Sequence, residues 1–176
     1  MAGLPPLFAE EYACERCGLA YAELSVDRCV GLVTESVATL VTLLTTGDDR
    51  RLRRRPEPGT WSALEYAFHV RDVLWVFALR VHRGVHEGRP SLDPMYNDWR
   101  AERFGYARVP VDVLLAELRT ATEGFVAEVR AVPEDAWNRT VVRRPEEVRT
   151  VRWLVRQAAH ECVHHLGDVR RILESR

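Results

Sequence analysis

The chain has 176 residues, 47% of them apolar, and a formal net charge of −1. That is enough apolar material for one domain with a full core, and the near-neutral balance excludes a global field that would gather nucleic acid. The opening stretch MAGLPPLFAEEYACERCG has no basic leader followed by an uninterrupted apolar run, and no segment elsewhere is expected to reach the roughly 20 apolar residues a bilayer requires, so the expectation is a cytoplasmic protein with no membrane partner.

Residues 1–20 carry two of the four cysteines, Cys14 and Cys17, in CERCG. Three readings of this pair stand open: an inert reduced pair, a small zinc knuckle completed by Cys29 and a fourth ligand, or a redox-active or disulfide pair. The βαβ pattern of a thioredoxin-like motif is absent. Residues 21–176 read as helical. From Tyr21 to Leu44, apolar residues recur at helical spacing (Leu24, Cys29, Leu32, Val33, Val37, Leu40, Val41, Leu44). Residues 45–59 read as loop, including the basic run RRLRRRPEPG, taken as a solvated segment with an acidic-ligand contact as the alternative.

A second helix is expected from TWSALEYAFHVRD onward, with Thr60 as N-cap and Gly84 as stop. It is apolar nearly all round, except for a stripe of Glu65, His69 and Asp72, so it should be central and buried. The connector that follows is long and should hold a short helix near 97–104, with Tyr96, Trp99, Arg100 and Arg103 as candidates to line a pocket. A third helix is expected over 111–131 and a fourth over 148–173. Four long amphipathic segments point to an all-α fold, a four-helix bundle with a long connector between helices two and three.

The last helix holds AAHECVHHLGDVRR, with two overlapping i,i+4 pairs: His160 with His164, and Glu161 with His165. At 100° per residue, Val151, Val155, Ala158, Cys162, Leu166, Val169 and Leu173 fall within about 60° of one direction. His160 and His164 lie roughly 160° from the centre of that stripe, Glu161 about 100° and His165 about 60°. Phase therefore sends Glu161 and His165 inward and leaves His160 and His164 to water unless another element covers them. Side chains four apart stack one turn above another and can offer two donors to one ion. His69, on the polar stripe of the second helix, is the natural third donor. Cys162 falls on the buried stripe and reads as a small core residue.

These segments resemble a known family. WSALEYAFHVRD, a Trp followed by a His eight residues on, looks like the second-helix signature of the DinB-like superfamily, the YfiT-like metal-dependent enzymes. HECVHHLGDVRRIL is similar to its last-helix signature, and VPEDAWNR to the connector before it. The resemblance covers roughly residues 20–174. It implies a four-helix bundle holding a divalent metal, zinc first and nickel second, on three side chains. In many members all three are His; in the relatives that include mycothiol-dependent maleylpyruvate isomerase the last-helix pair is Glu-x-x-x-His. Carried over, the metal ligands are His69, Glu161 and His165, with Asp168 following; an all-His set would take His160 and His164 and contradict the helix phase. The implied activity is that of a thiol transferase, isomerase or hydrolase acting on a small-molecule substrate, with a low-molecular-weight thiol such as mycothiol or bacillithiol made nucleophilic on the metal. The competing reading is a non-enzymatic, stress-related or redox-sensing module on the same scaffold. A homodimer is compatible with either.

Overall fold

A computed structural model describes residues 6–175; Arg176 and residues 1–5 of the stretch read for a signal sequence lie outside them. Helix α1 (Val26–Thr46) starts where Ser25 Oγ accepts the Arg28 amide, a cap that satisfies one of the first free N–H groups. Its buried face is Cys29, Leu32, Val33, Val37, Leu40 and Leu44. Its other face carries Thr34, Thr39, Thr42, Thr45 and Thr46, whose hydroxyls donate to carbonyls four residues back. The threonines satisfy their own hydroxyls, and the charged residues of α1 are confined to Asp27, Arg28 and Glu35. By length and composition it could cross a membrane, which corrects the expectation that no segment reaches that size. Its buried face is occupied by the bundle.

The basic run is more than a solvated loop. It holds a short helix, α2 (Asp49–Arg53), and its arginines tie neighbouring segments together. Arg51 donates to the carbonyl of Leu173 at 2.5 Å, Arg53 to those of Ala107 and Val109 at 2.8 and 3.0 Å, and Arg55 to the Glu65 carboxylate.

Helix α3 (Ala63–His86) begins two residues later than expected. Ser62, not Thr60, is the N-cap, and it forms a reciprocal capping box with Glu65. It also runs past Gly84. That glycine is buried inside the helix, where a Cβ would meet Val151 Cγ2 at 2.8 Å, so its role is close helix packing rather than termination. In the long connector, α4 (Asn97–Arg103) forms as expected. Helix α5 (Val111–Arg130) follows and buries Leu114, Leu118, Ala121, Phe125 and Val129. A two-stranded antiparallel ribbon, β1 (Thr140–Val142) and β2 (Val148–Thr150), pairs Thr140 with Thr150; its second strand takes residues expected to open the fourth helix, which starts at Val151 instead. Helix α6 (Val151–Glu174) grows directly from β2, with Thr150 Oγ1 accepting the Trp153 amide.

The four long helices make the bundle. α3 packs against α6 and α5, and α1 packs against the same two. Successive long helices α1 and α3 therefore stand across a diagonal, as do α5 and α6, whereas α3 and α5, joined by the long connector, are neighbours. The N-terminal segment lies along the outside of α6. Trp153 Nε1 donates to Ala9 O at 3.0 Å, Glu10 accepts from the backbone and hydroxyl of Thr150, Tyr21 Oη donates to Gln157 Oε1 at 2.7 Å, and Arg16 pairs with Asp168 at 2.8 Å.

Candidate metal centre

On the polar stripe of α3, the three residues part company. Glu65 is spent on its capping box and Arg55. Asp72 is buried and paired with Arg71 and Arg100, with Tyr106 Oη donating to it as well. His69 alone remains for a site. It is 4% exposed, and its Nε2 lies 3.3 Å from Glu161 Oε2. The same carboxylate oxygen lies 3.0 Å from His165 Nε2. One donor atom from each of His69, Glu161 and His165 thus falls within 4.8 Å of the others. The sequence placed these three residues together, and the bundle does bring them together.

Their neighbours fix their orientation. His165 Nδ1 faces Asp168 Oδ2 at 2.8 Å, which leaves Nε2 turned toward Glu161; a carboxylate behind an imidazole is the usual arrangement for setting a ligand's tautomer. Asp168 is itself held by Arg16 and Arg171. Gln157 Nε2 donates to the other Glu161 oxygen at 2.6 Å. The Trp61 ring lies 5.3 Å from that of His69, and Tyr66 stacks on His165 at 5.2 Å. Trp61 is the Trp that precedes His69 by eight residues in WSALEYAFHVRD, but Gln157 and Tyr66 were not singled out from sequence, although Gln157 stands four residues before Glu161 and so shares its face.

The charges follow from these contacts. Burial holds His69 below its ordinary value, against the pull of the Glu161 carboxylate. Burial disfavours an ionised Glu161, but hydrogen bonds from His165 and His69 outweigh it and keep the carboxyl well below its usual range. Burial likewise opposes a proton on His165, and the hydrogen bonds to Asp168 and Glu161 overcome it, pushing that imidazole up to about 9. The Glu161 carboxylate thus calls for positive charge at this point, which a proton on His165 supplies, whereas Asp168 is answered by Arg16 and Arg171 as well. A divalent cation bound by two neutral imidazoles and a carboxylate meets the same demand, so this donor set fits a metal of the zinc or nickel class.

A cavity of about 590 Å³ opens onto the centre. His69, Glu161 and Gln157 lie at one side of it, with Phe77, Trp153, Leu92 and Met95 among its apolar walls. Of the four residues proposed from the connector, Tyr96 and Trp99 line it. Arg100 is turned instead to Asp72 at 2.8 Å, and Arg103 is exposed outside it. Tyr96 adopts a left-handed backbone (φ 51) as it enters α4, an unfavourable conformation for a residue with a Cβ. Two arginines that sequence reasoning missed, Arg80 and Arg143, also line the cavity. Burial, with Arg143 nearby, pushes the Arg80 guanidinium down to about 10.

The outer pair on α6 requires a correction. His160 does not face water: it is 3% exposed, enclosed by the rings of Phe8, Tyr12 and Tyr21 at 5.5–5.8 Å. His164 is half-buried. Helix phase placed both correctly on the side away from the bundle, but the N-terminal segment covers that side. Cys29, one suggested partner of Cys14 and Cys17, sits in the core on α1.

A family model described as the DinB superfamily matches residues 32–169. The chain belongs to the DinB superfamily. No curated protein matches it. Among solved structures, this DinB protein is similar to YfiT from Bacillus subtilis, described as "a probable metal-dependent hydrolase with an unusual four-helix bundle topology" (TM-score 0.71, 17% identity, 85% of this chain and 89% of that one). It is also similar to a mycothiol-dependent maleylpyruvate isomerase (TM-score 0.66, 14% identity, 87% and 68%) and to the DinB-like protein YjoA of Bacillus subtilis (TM-score 0.59, 19% identity, 83% and 89%). At these identities the likeness shows a shared fold.

Proposed function

We propose that this DinB superfamily protein is a metal-dependent enzyme in which His69, Glu161 and His165 hold a divalent cation, zinc in first place and nickel in second, and in which a low-molecular-weight thiol such as mycothiol, or water, attacks a small-molecule substrate. The observation that carries this reading is the convergence of two imidazoles and a carboxylate, from two helices, at the wall of a cavity large enough for a small molecule. Three protein ligands leave a coordination position for a reactant. When bound, the ion supplies positive charge that lowers the proton affinity of a coordinated thiol or water near neutral pH.

The chain's own residues do the rest. Asp168 orients His165 and Gln157 steadies Glu161, so the donors are held before anything binds. Trp61 and Tyr66 pack against the two imidazoles and limit access of water to them. Arg80 places a half-buried guanidinium at the same cavity, which suits a substrate or thiol bearing a carboxylate. The activities described for YfiT and for the mycothiol-dependent isomerase are of the two kinds proposed here.

The test is metal analysis joined to turnover. Purified protein supplied with zinc is compared with His69→Ala and Glu161→Gln, and each is assayed for mycothiol consumption with a chromogenic aryl halide and for ester hydrolysis. Each variant is expected to lose one metal equivalent per chain and to fall at least about 100-fold in rate, the scale set by loss of a metal that generates the nucleophile. Unchanged metal content and rate in both variants would overturn the reading.

A further inference from the structure

The outer histidine pair has its own partners. Cys14, Cys17, His160 and His164 offer four donor atoms that all lie within 4.8 Å of one another, with Cys14 Sγ 3.5 Å from His164 Nδ1. The CERCG segment is folded as a tight turn. Gly18 takes a left-handed backbone (φ 75), its amide donates to Cys14 O at 2.8 Å, and an antiparallel bridge between Ala13 and Ala20 closes the loop. Both sulfurs are thereby presented to the same side of α6, where residues four apart supply the two imidazoles.

A second, independent observation concerns His160. Its ring is buried, yet neither Nδ1 nor Nε2 has a hydrogen-bond partner among the described residues. Buried imidazole nitrogens without partners forfeit their hydration with nothing in return, and they are uncommon in folded chains. A partner is therefore missing, and the nearest candidate donors are two thiols and another imidazole.

We propose that Cys14, Cys17, His160 and His164 form a second metal site, a closed Cys2His2 zinc centre that clamps the N-terminal turn to the outer face of α6. The chemistry fits. Four protein ligands of sulfur and nitrogen, with no open position, make a structural tetrahedral zinc site. Two thiols surrender their protons to solvent as two zinc–sulfur bonds form, and two thiolates neutralise the ion in a largely buried place. Tetrahedral zinc sets ligand–ligand separations of about 3.3–3.8 Å, so donors already within 4.8 Å need only a small contraction. The zinc knuckle considered from sequence is thus completed by the outer pair of α6 rather than by Cys29. This centre is separate from the one proposed for catalysis. The two ligand pairs are offset by one residue on the same helix, which turns them about 100° apart.

The clamp also has a consequence for the bundle. Tyr21, just beyond the turn, donates to Gln157, and Gln157 donates to Glu161. Zinc at the outer site would thereby hold in place the support of the inner carboxylate.

Cobalt(II) is the probe that separates the two sites, because thiolate ligation gives an intense sulfur-to-cobalt charge-transfer band in the near ultraviolet, whereas a His2Glu centre gives none. The full chain, freshly reduced, is titrated with cobalt and separately analysed for zinc. The band is expected in the wild type and in His69→Ala, and is expected to be lost in Cys14→Ser and Cys17→Ser. Zinc content is expected to be two equivalents in the wild type and one in each of these variants. If the inner site is misassigned, His69→Ala keeps the wild-type zinc content while the band still depends on the cysteines, so the failure of one proposal is told apart from failure of the other. Absence of the band in the reduced wild type, which requires no variant to fold, overturns the proposal. So does a band, and a zinc content, that both cysteine variants retain.

Discussion

Gln157 donates from Nε2 to Glu161 Oε1 at 2.6 Å across one turn of α6. The carboxylate is thereby held on one oxygen, while its other oxygen faces both imidazoles. Gln157→Leu removes that donor at similar bulk. Metal affinity at the proposed inner site is expected to fall about 10–100-fold, as for other groups that orient ligands, with His69, Glu161 and His165 themselves intact. Competition with a chromophoric chelator measures this; an unchanged dissociation constant would show that Glu161 needs no such support.

Asp168 does the corresponding work for His165, its Oδ2 lying 2.8 Å from Nδ1. The His165 hydrogen bond and the nearby Arg16 and Arg171 outweigh burial and bring its carboxyl down to about 2, so it is a full acceptor at neutral pH. Asp168→Asn keeps the shape and removes the charge. The expected result is again a loss of about 10–100-fold in metal affinity, together with a weaker hold on the N-terminal segment through Arg16. Chelator competition and limited proteolysis near Arg16 report the two effects separately.

How much of this could be read from the residues differs from helix to helix. His69 was legible because it is the histidine in the middle of an apolar helix, on its polar stripe, and Glu161 with His165 because the helix phase favoured them. Phase reports only the direction from the bundle axis, however, and says nothing of what packs outside. For that reason His160 could be assigned to water only if no other element covered it, and Phe8, Tyr12 and Tyr21 do enclose it. Arg143 reaches the cavity from the ribbon after α5, and no local pattern announces that; Arg80 lies on α3 eleven residues after His69, a spacing that shares its face and could have marked it. Gly84 looked like a helix stop because a glycine near a helix end usually is one; the valine of α6 that needs its missing Cβ is 67 residues away, as 151 − 84 shows.

That close approach gives a stability prediction. In Gly84→Ala, the gain in helix propensity is about 1 kcal/mol. The new Cβ would stand 2.8 Å from Val151 Cγ2 and 3.3 Å from Val141 Cγ1, and β-branched side chains have little rotamer freedom with which to yield. Overpacking of this kind costs about 1–3 kcal/mol, so the balance is expected to be destabilising, with a melting temperature lower by a few degrees. Gly88→Ala, where a Cβ meets nothing within 4 Å, serves as the control and is expected to be near neutral. A Gly84→Ala protein as stable as the wild type would mean that α3 and α6 can separate freely.

Acid stability is expected to depend on Glu147. Its carboxylate accepts from Arg143 at 2.7 and 2.8 Å and from the Leu7 amide at 2.9 Å, with Arg144 at 4.0 Å. The Arg143 hydrogen bonds outweigh burial and hold the carboxyl at about 2, against an ordinary value of 4.5. The folded value is depressed, so the ionised form stabilises the fold fully above about pH 4.5 and this contribution is lost as the pH falls from there toward 2. Glu147→Gln is expected to be about 1–3 kcal/mol less stable at neutral pH and to show a shallower decline between pH 5 and 2. Urea unfolding across that range measures both, and parallel curves for the two proteins would remove Glu147 from the acid response.

The diagonal arrangement of the long helices also dictates when the chemistry becomes available during synthesis. His69 and Glu161 are 92 positions apart, and Cys14 and His164 are 150 apart, so each grouping of donors waits for α6 to leave the ribosome. Until then Cys14, Cys17 and His69 lack their counterparts on α6, and the docking of that helix completes both groupings.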